Sequence, residues 1–272
     1  MYLYKGKFSL EILTMFNKYK IILLLMFASI LSCTNESANE PSYEDLINTA
    51  INNKARSEEN IDQDKGRKPA EIIKFAEVKP GMKVLDMVSN GGFYAEILAS
   101  IVGEDGGVIA HTFARNESNP DFSYAQYVND SPHMSNVNMM YADFDSINLD
   151  ENTLDRVFIV QNYHDLYFDR PGYGVDDVQA VLAMIKKGLK PGGMMIIIDH
   201  DAEKGSPSST GTSLHRISDE IVMSDMNMAG FKFLDNTHVL KNDWEDDLTK
   251  SVFDASVRGN TSRFVHKYIN PN

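Results

Sequence analysis

The sequence predicts an α/β domain built on a doubly wound, mostly parallel seven-stranded sheet that ends in an antiparallel hairpin. Short apolar runs alternate with helically spaced segments between residues 84 and 229. A glycine-containing turn follows the first apolar run, and two late strand-like segments have no convincing helix between them. Strands separated by helices imply right-handed crossovers and a parallel sheet, whereas consecutive strands without a helix pair antiparallel.

The first elements of this domain follow from their residue spacing. Helices are expected at residues 43–56 and 69–78, the second opening with a proline where a missing N–H costs nothing. An apolar strand at 84–88 then passes through the turn 89–92 into another helix. In such sheets, ligands bind at the carboxyl ends of the strands, and glycines in this turn let a ligand approach the backbone.

The remaining elements continue the same alternation. Further parallel strands are expected at 107–112, 137–142, 154–161 and 194–199. Helices are expected at 175–187 and 216–229. The two strands of the hairpin are expected at 231–240 and 262–269.

Length and composition limit the possible functions. The 272 residues, 43% of them hydrophobic, suffice for one substantial core and a short extension. With 39 acidic and 26 basic residues the formal charge is -13, so the chain lacks the basic footprint of a nucleic-acid-binding protein. Its single cysteine excludes an intrachain disulfide and a structural zinc site of several cysteines.

The position of that cysteine indicates an export signal. An apolar run at residues 21–32 follows Lys18 and Lys20 and ends at Cys33, and it is short for a membrane span. The polar stretch 34–42 is typical of a tether. The alternative is a buried apolar segment in which the cysteine is a small core residue.

Residues 30–33 resemble the bacterial lipobox, in which the cysteine is lipidated. This resemblance implies an exported lipoprotein anchored to a membrane through Cys33, on the periplasmic or cell-surface side. Met15 offers an alternative start for the leader. The expected organisation is a signal peptide at 1–32, the lipidated cysteine and a flexible tether at 33–42, and the α/β domain at 43–272.

Several segments resemble class I S-adenosylmethionine-dependent methyltransferases. Residues 84–86 followed by 91–94 are similar to the first methyltransferase motif, and residues 189–193 and 229–231 resemble the turns before the fifth and sixth strands. The resemblance covers roughly residues 60–268 and is greatest to a sparsely characterised group of predicted methyltransferases with secretory leaders. Segments similar to that group's signatures are 161–165, 214–217, 251–254 and 258–259.

The resemblance implies S-adenosyl-L-methionine as cofactor in a Rossmann-like methyltransferase fold. After the third strand, Asp143 matches the carboxylate that meets the adenine amino group, and Phe144 the aromatic side chain that covers the ring. Asp143 reads equally well as a capping or turn residue. The implied cofactor contacts are Asp86, Ser89, Asn90, Gly91, Gly92, Asp143, Phe144 and Gln161.

The chain departs from the family pattern at two places. Of the three glycine positions in the first motif, only Gly92 is kept. Asn90 tolerates a left-handed conformation, but the β-branched Val88 resists it. Many class I enzymes have a carboxylate at the end of the second strand that holds the ribose hydroxyls of the cofactor, and this chain has none. His111 and Thr112 are the candidates for hydrogen bonding to the ribose instead.

Polar residues after the fourth and fifth strands are the candidates for chemistry. His164 is the expected catalytic residue, because an imidazole suits proton removal from a methyl acceptor. Tyr163, His200 and His215 are the expected substrate contacts. His164, Asp199, Asp201 and His215 offer ligands for a divalent cation. We favour the simpler interpretation without a metal, in which Asp199 closes its strand and residues 205–212 form a mobile lid.

The acidic run 243–247 is expected to be a surface loop, with solvated carboxylates and a packed Trp244. Arg258 and Arg263 are candidates for bridging to it.

Three functions remain open. The first is methyl transfer to an unidentified small-molecule or cell-envelope substrate. The alternative is a catalytically inactive lipoprotein that keeps the fold as a binding module, which Val88 and the missing carboxylate favour. A nicotinamide-dependent oxidoreductase is the weakest, because the turn after the first strand lacks the glycine pattern G-x-G-x-x-G.

Overall fold

A computed structural model describes residues 41–119, 122–170 and 173–271. The predicted leader, Cys33 and most of the tether lie outside the described residues, so they stay predictions. Within those three ranges no helix is long and apolar enough to cross a membrane. The domain begins at Ser42, whose side chain caps the first helix by accepting a hydrogen bond from the backbone N–H of Asp45.

A seven-stranded sheet forms the centre of the domain, with the strand order β3-β2-β1-β4-β5-β7-β6. The pairs among β1 to β5 are parallel, and β7 pairs antiparallel with both β5 and β6. This confirms the predicted sheet and its C-terminal hairpin. The strands are β1 (Lys83–Met87), β2 (Gly107–Thr112), β3 (Val137–Tyr141), β4 (Leu154–Val160), β5 (Leu189–His200), β6 (Lys232–Thr237) and β7 (Arg263–Ile269).

Helices cover both faces of this sheet. They are α1 (Tyr43–Ile51), α2 (Glu58–Arg67), α3 (Pro69–Ala76), α4 (Phe93–Val102), α5 (Tyr124–Asp130), α6 (Val178–Gly188), α7 (Thr210–Leu214) and α8 (Asp219–Met228), with short 3-10 turns at Ala114–Asn116, Pro132–Met134, Phe144–Ser146 and His164–Tyr167. Three of the helices differ from the sequence predictions, and one of them, α5, lies where no helix was predicted. Helix α2 was not expected, because Asn60 is its only buried residue and it has no apolar stripe. Helix α7 occupies part of the segment that was expected to be a mobile lid.

The core lies in two layers, one on each face of the sheet. Side chains that alternate along a strand point to opposite faces, and β1 shows this directly. Val84 packs with the α4 residues Ile97 and Leu98 on one face. Leu85 packs with the α6 residue Leu182 on the other. The sheet is therefore buried on both faces, as a parallel sheet with flanking helices requires.

The acidic loop after β6 differs from its predicted form. Trp244 is 80% exposed and does not pack, whereas the Asp246 side chain is fully buried. Asp246 accepts two hydrogen bonds, of 2.8 and 2.7 Å, from the buried guanidinium of Arg216. The nearby Arg263 instead donates to the Gly66 carbonyl oxygen. The loop is thus fixed to the domain by a buried ion pair that the sequence pattern did not indicate.

Candidate active site

A cavity of about 680 Å³ opens where β1 and β4 end. Residues from α2, from the turns after β1, β2, β4 and β5, and from the C-terminal loops line it. This is the edge of a parallel sheet at which ligands are expected. The lining includes Asn60, Gln63, Arg67, Asp86, Val88, Ser89, Asn90, Gly91, Phe93, Phe113, Asn116, Gln161, His164, Asp165, Phe168, Arg170, Tyr173, His200 and His215.

The turn after β1 contains Val88 in a left-handed conformation, with φ of 52°. A β-branched residue rarely adopts this conformation, so the surrounding structure must impose it. The backbone N–H of Val88 donates to Nδ1 of His111 at 3.1 Å, and the other ring nitrogen of His111 lies 3.0 Å from the Ala142 carbonyl oxygen. Burial lowers the pKa of His111 to about 4, which keeps the ring neutral and Nδ1 able to accept.

This arrangement corrects one expectation from the sequence. His111 was a candidate for hydrogen bonding to a cofactor sugar, but it is fully buried and both ring nitrogens have backbone partners. Thr112, the other candidate, is also fully buried, and its hydroxyl accepts from the Asn116 amide at 2.7 Å. Neither residue lines the cavity. His111 instead holds the turn that forms the cavity floor.

Gly92 is needed for packing against a tyrosine. Its φ is 77°, and a Cβ atom at this position would overlap the ring of Tyr124. The Tyr124 hydroxyl lies 3.3 Å from the Ser89 hydroxyl, which donates to Asp86 at 2.7 Å. Asp86, Ser89, Asn90 and Gly91 line the cavity, whereas Gly92 does not. Gly92 therefore positions this turn by packing against Tyr124, on the side of the turn that faces away from the cavity.

Two opposite charges lie at this end of the cavity. Asp86 is only 3% exposed, and burial raises its pKa to about 6 despite the hydrogen bond from Ser89. Arg67 stacks over the Phe93 ring, with its guanidinium carbon 4.7 Å from the ring centre. Among the residues that the structure describes, Arg67 makes no ion pair with a carboxylate. A partly buried guanidinium without a carboxylate partner, such as that of Arg67, is a candidate ligand for an anionic group.

A buried glutamate holds α2 over the cavity. Glu96 in α4 accepts hydrogen bonds from the Asn60 amide at 2.6 Å, the Ser57 backbone N–H at 3.2 Å and the Tyr127 hydroxyl. The Asn60 amide also donates to the Gly91 carbonyl oxygen at 3.3 Å. Sequence reasoning missed this network. Its available signal was one glutamate in the otherwise apolar segment 93–102.

The opposite wall is built around His164, which follows β4. Nδ1 of His164 lies 2.9 Å from Oδ1 of Asp199, and the His164 backbone N–H donates to Oδ2 of the same carboxylate at 2.9 Å. Burial lowers the pKa of His164, but the buried Asp199 carboxylate outweighs this and raises it above its ordinary value. The second ring nitrogen, Nε2, lies 3.2 Å from Nδ1 of His215 and 3.3 Å from Oδ1 of Asp165.

The three predicted substrate contacts lie in different surroundings. His200 and His215 line the cavity. Nδ1 of His200 bonds to the Thr261 hydroxyl at 2.8 Å, and burial lowers the pKa of His200 to about 3. Tyr163 is fully buried in the core, where its hydroxyl donates to Asp225 at 2.9 Å. The expectation for Tyr163 is therefore corrected, because a neighbour of His164 in sequence points to the other side of the chain.

The remaining predicted cofactor contacts are divided between two cavities. Gln161 has φ of 58° and lines the first cavity. Asp143 and Phe144 line a second cavity of about 570 Å³. The two cavities share the side chains of Phe168, Arg170 and Tyr173. Asp143 also begins a turn, its backbone N–H donating to the Ser146 hydroxyl at 3.0 Å.

Comparison with known proteins supports the interpretation of the fold. No protein-family model matches the chain. Demethylmenaquinone methyltransferases of Bacillus cereus and Bacillus anthracis are 26% identical to it over 132 residues, which is 47% of this chain and 49% of theirs. The chain thus matches about half the length of these relatives.

Solved structures resemble a larger part of the chain. A SAM-dependent methyltransferase from Aquifex aeolicus is 23% identical, with a TM-score of 0.52 over 73% of this chain and 87% of that structure. The [4+2]-cyclase SpnF is 16% identical, with a TM-score of 0.55 over 81% of this chain and 86% of that structure. The chain therefore has the fold of class I S-adenosylmethionine-dependent methyltransferases. Since a cyclase shares it, the fold alone does not determine the activity.

Proposed function

We propose that this chain, which has the class I methyltransferase fold, is an S-adenosylmethionine-dependent methyltransferase with its cofactor in the 680 Å³ cavity. The observation that carries the proposal is that Asp86 and Arg67 both line the cavity at its β1 end without forming an ion pair with each other. The methionine part of the cofactor carries an ammonium and a carboxylate group. A buried carboxylate beside a guanidinium that lacks a carboxylate partner suits both groups.

The rest of the cavity also fits the cofactor. Its volume lies in the range of roughly 300–1,000 Å³ that is typical of small-molecule sites. Gly91 and Asn90 expose backbone where a cofactor would approach the turn, and Asn60 and Gln63 offer amides from α2. Phe113 provides an aromatic wall. The contact expected from Asp143 and Phe144 requires the adenine to extend past Phe168 and Tyr173 into the second cavity.

The bound cofactor would supply a methyl group on a positively charged sulfur. The chain's own residues would then position the acceptor, and His164, His200 and His215 line the wall opposite Asp86. Asp199 holds Nδ1 of His164, so Nε2, which lies at the cavity wall beside His215 and Asp165, is the ring atom that would take the acceptor's proton. A raised pKa makes His164 a stronger base for taking a proton from an oxygen or nitrogen acceptor. We propose His164 as the catalytic residue on this basis.

The acceptor and its location belong to the proposal as well. We propose a small-molecule or cell-envelope acceptor, met outside the cytoplasm by an exported, lipid-anchored chain. The inactive binding module remains the alternative. Val88 in its unfavourable conformation and the fully buried Thr112 in place of a strand-end carboxylate both favour it, because each reduces the expected affinity for the cofactor.

Calorimetric titration of the full chain with S-adenosylmethionine, its demethylated product and NAD tests the proposal. We expect saturable binding of the first two and none of NAD. Arg67→Ala should weaken binding of both about tenfold or more, because a charge-assisted hydrogen bond contributes about 1.5–3 kcal/mol. Lys65→Ala, at an exposed position on the same helix, should bind like the wild type. No binding of either S-adenosylmethionine or its demethylated product would favour the binding module. Binding of NAD would favour the oxidoreductase.

A further inference from the structure

We infer that His164, Asp165 and His215 form a binding site for one divalent transition-metal ion at the cavity wall. Nε2 of His164, a carboxylate oxygen of Asp165 and Nδ1 of His215 lie within 4.8 Å of one another. The inference does not depend on cofactor binding, but a cation on Nε2 of His164 would replace the role of that atom as the proposed proton acceptor.

Two of the three separations between the ligand atoms match those around a metal ion. Nε2 of His164 lies 3.2 Å from Nδ1 of His215 and 3.3 Å from Oδ1 of Asp165. Metal–ligand bonds of about 2.0–2.2 Å place neighbouring ligand atoms of a tetrahedral or octahedral site roughly 3.0–3.5 Å apart. These two separations fall within this range, and the third, between Asp165 and His215, is at most 4.8 Å and would shorten by a rotation of the Asp165 side chain.

The surroundings of His164 are those of a metal ligand. A metal-bound histidine usually gives its other ring N–H to a carboxylate, which fixes the tautomer and the ring orientation. Asp199 fills this role, with Oδ1 2.9 Å from Nδ1 of His164 and the backbone N–H of His164 holding Oδ2. Asp199 is fully buried. This contact directs Nε2 of His164 towards Asp165 and His215.

The backbone at His215 adopts an unfavourable conformation that places its side chain at this position. His215 ends α7 in a left-handed conformation, with φ of 55°. Helix α7 lies close to the turn that carries His164, because a Cβ atom on Gly211 would be 2.7 Å from the His164 carbonyl oxygen. The Asp169 backbone N–H donates to the Thr212 hydroxyl at 2.8 Å and adds a second connection. Two independent contacts therefore fix the distance between the two histidines.

The ligand types indicate the class of metal. Two imidazoles and one carboxylate favour Mn²⁺, Fe²⁺, Co²⁺ or Zn²⁺ over Mg²⁺ and Ca²⁺, which prefer oxygen ligands. All three residues line the cavity, so the remaining coordination positions would face it. Open positions are typical of catalytic rather than structural metal sites. This differs from the interpretation without a metal that the sequence favoured, and also from the ligand set considered there, which included Asp201. Asp201 instead pairs with Lys241 at 2.8 Å.

Titration of the full chain with Co²⁺, after removal of metals by a chelator, tests the site. We expect one equivalent to bind, with the visible absorption of Co²⁺ coordinated by imidazole nitrogen, and Zn²⁺ to displace it. His215→Ala and Asp165→Asn should each weaken binding at least tenfold. His238→Ala removes an exposed histidine outside the cluster and should leave binding unchanged. Circular dichroism would verify that each variant is folded.

Two results would overturn the inference. One is a Co²⁺ spectrum that remains that of the aqueous ion. This result is expected if His164 and His215 are only hydrogen-bonded to each other and bind no metal. The other is wild-type affinity in folded His215→Ala. Neither result affects the proposed cofactor binding, because a titration of the metal-free chain with S-adenosylmethionine measures that binding separately.

Discussion

Replacing Asp86 with Asn is expected to weaken binding of S-adenosylmethionine by about 10- to 150-fold while making the chain more stable at neutral pH. The loss of affinity follows because a hydrogen bond to a charged group contributes about 1.5–3 kcal/mol. The gain in stability follows from burial, which raises the pKa of Asp86 from its ordinary value of 3.8 to about 6. Calorimetry and denaturant unfolding would measure the two effects.

The stability effect has a defined pH dependence. Between pH 4 and pH 6 the folded chain keeps a proton on Asp86 that the unfolded chain has lost, so wild-type stability falls as pH rises. Above pH 6 the full cost of the buried charge is present, up to about 3 kcal/mol. The advantage of Asp86→Asn should therefore be greatest above pH 6 and disappear near pH 4. Asp105→Asn, at an exposed position, serves as the control. Unchanged affinity in Asp86→Asn would contradict a cofactor role for this residue.

Replacing Asp246 with Ala is expected to lower the free energy of unfolding by about 3–5 kcal/mol, because it leaves a buried charge without its partner. The side chains of Arg216 and Asp246 are both fully buried. The guanidinium also donates to the carbonyl oxygens of Asp201 and Lys250, at 2.9 and 2.8 Å. These neutral acceptors cannot replace the charge of Asp246. Denaturant unfolding at neutral pH would measure the loss.

Glu245→Ala is the matched control for Asp246. Glu245 precedes it in the same acidic run, is exposed, and has a 3.2 Å hydrogen bond with Asn242. We expect this variant to unfold like the wild type. Equal stability of the two variants would show that the whole run is solvated, as the sequence pattern indicated.

Local patterns in the sequence predicted most of the sheet. The apolar runs at 84–88 and 154–161 became β1 and β4, and the absence of a helix between the last two strands predicted the antiparallel hairpin. Strands buried on both faces produce strong apolar runs, so their signal is local. Helix α2 had no such signal, because its contacts with the domain are mainly polar. Glu96, which anchors it, is 36 residues away from Asn60.

The candidate site was predictable only in part, because local sequence patterns show where strands end but not which residues meet in the folded chain. Strand ends identified Asp86, His164 and His200, because residues that follow parallel strands meet at one edge. The sequence could not show which way a side chain points, so Tyr163 was assigned to the site although it lies in the core. It also could not pair Arg216 with Asp246, which are 30 residues apart. Such pairings depend on tertiary packing.

The most direct test of the account is a crystal structure of the chain with the demethylated cofactor product. We expect density for the compound at the ends of β1 and β4, with its amino group at Asp86 and its carboxylate at Arg67. Density elsewhere, or a chain that excludes the compound at saturating concentration while Val88 and Phe93 close the space, would contradict it.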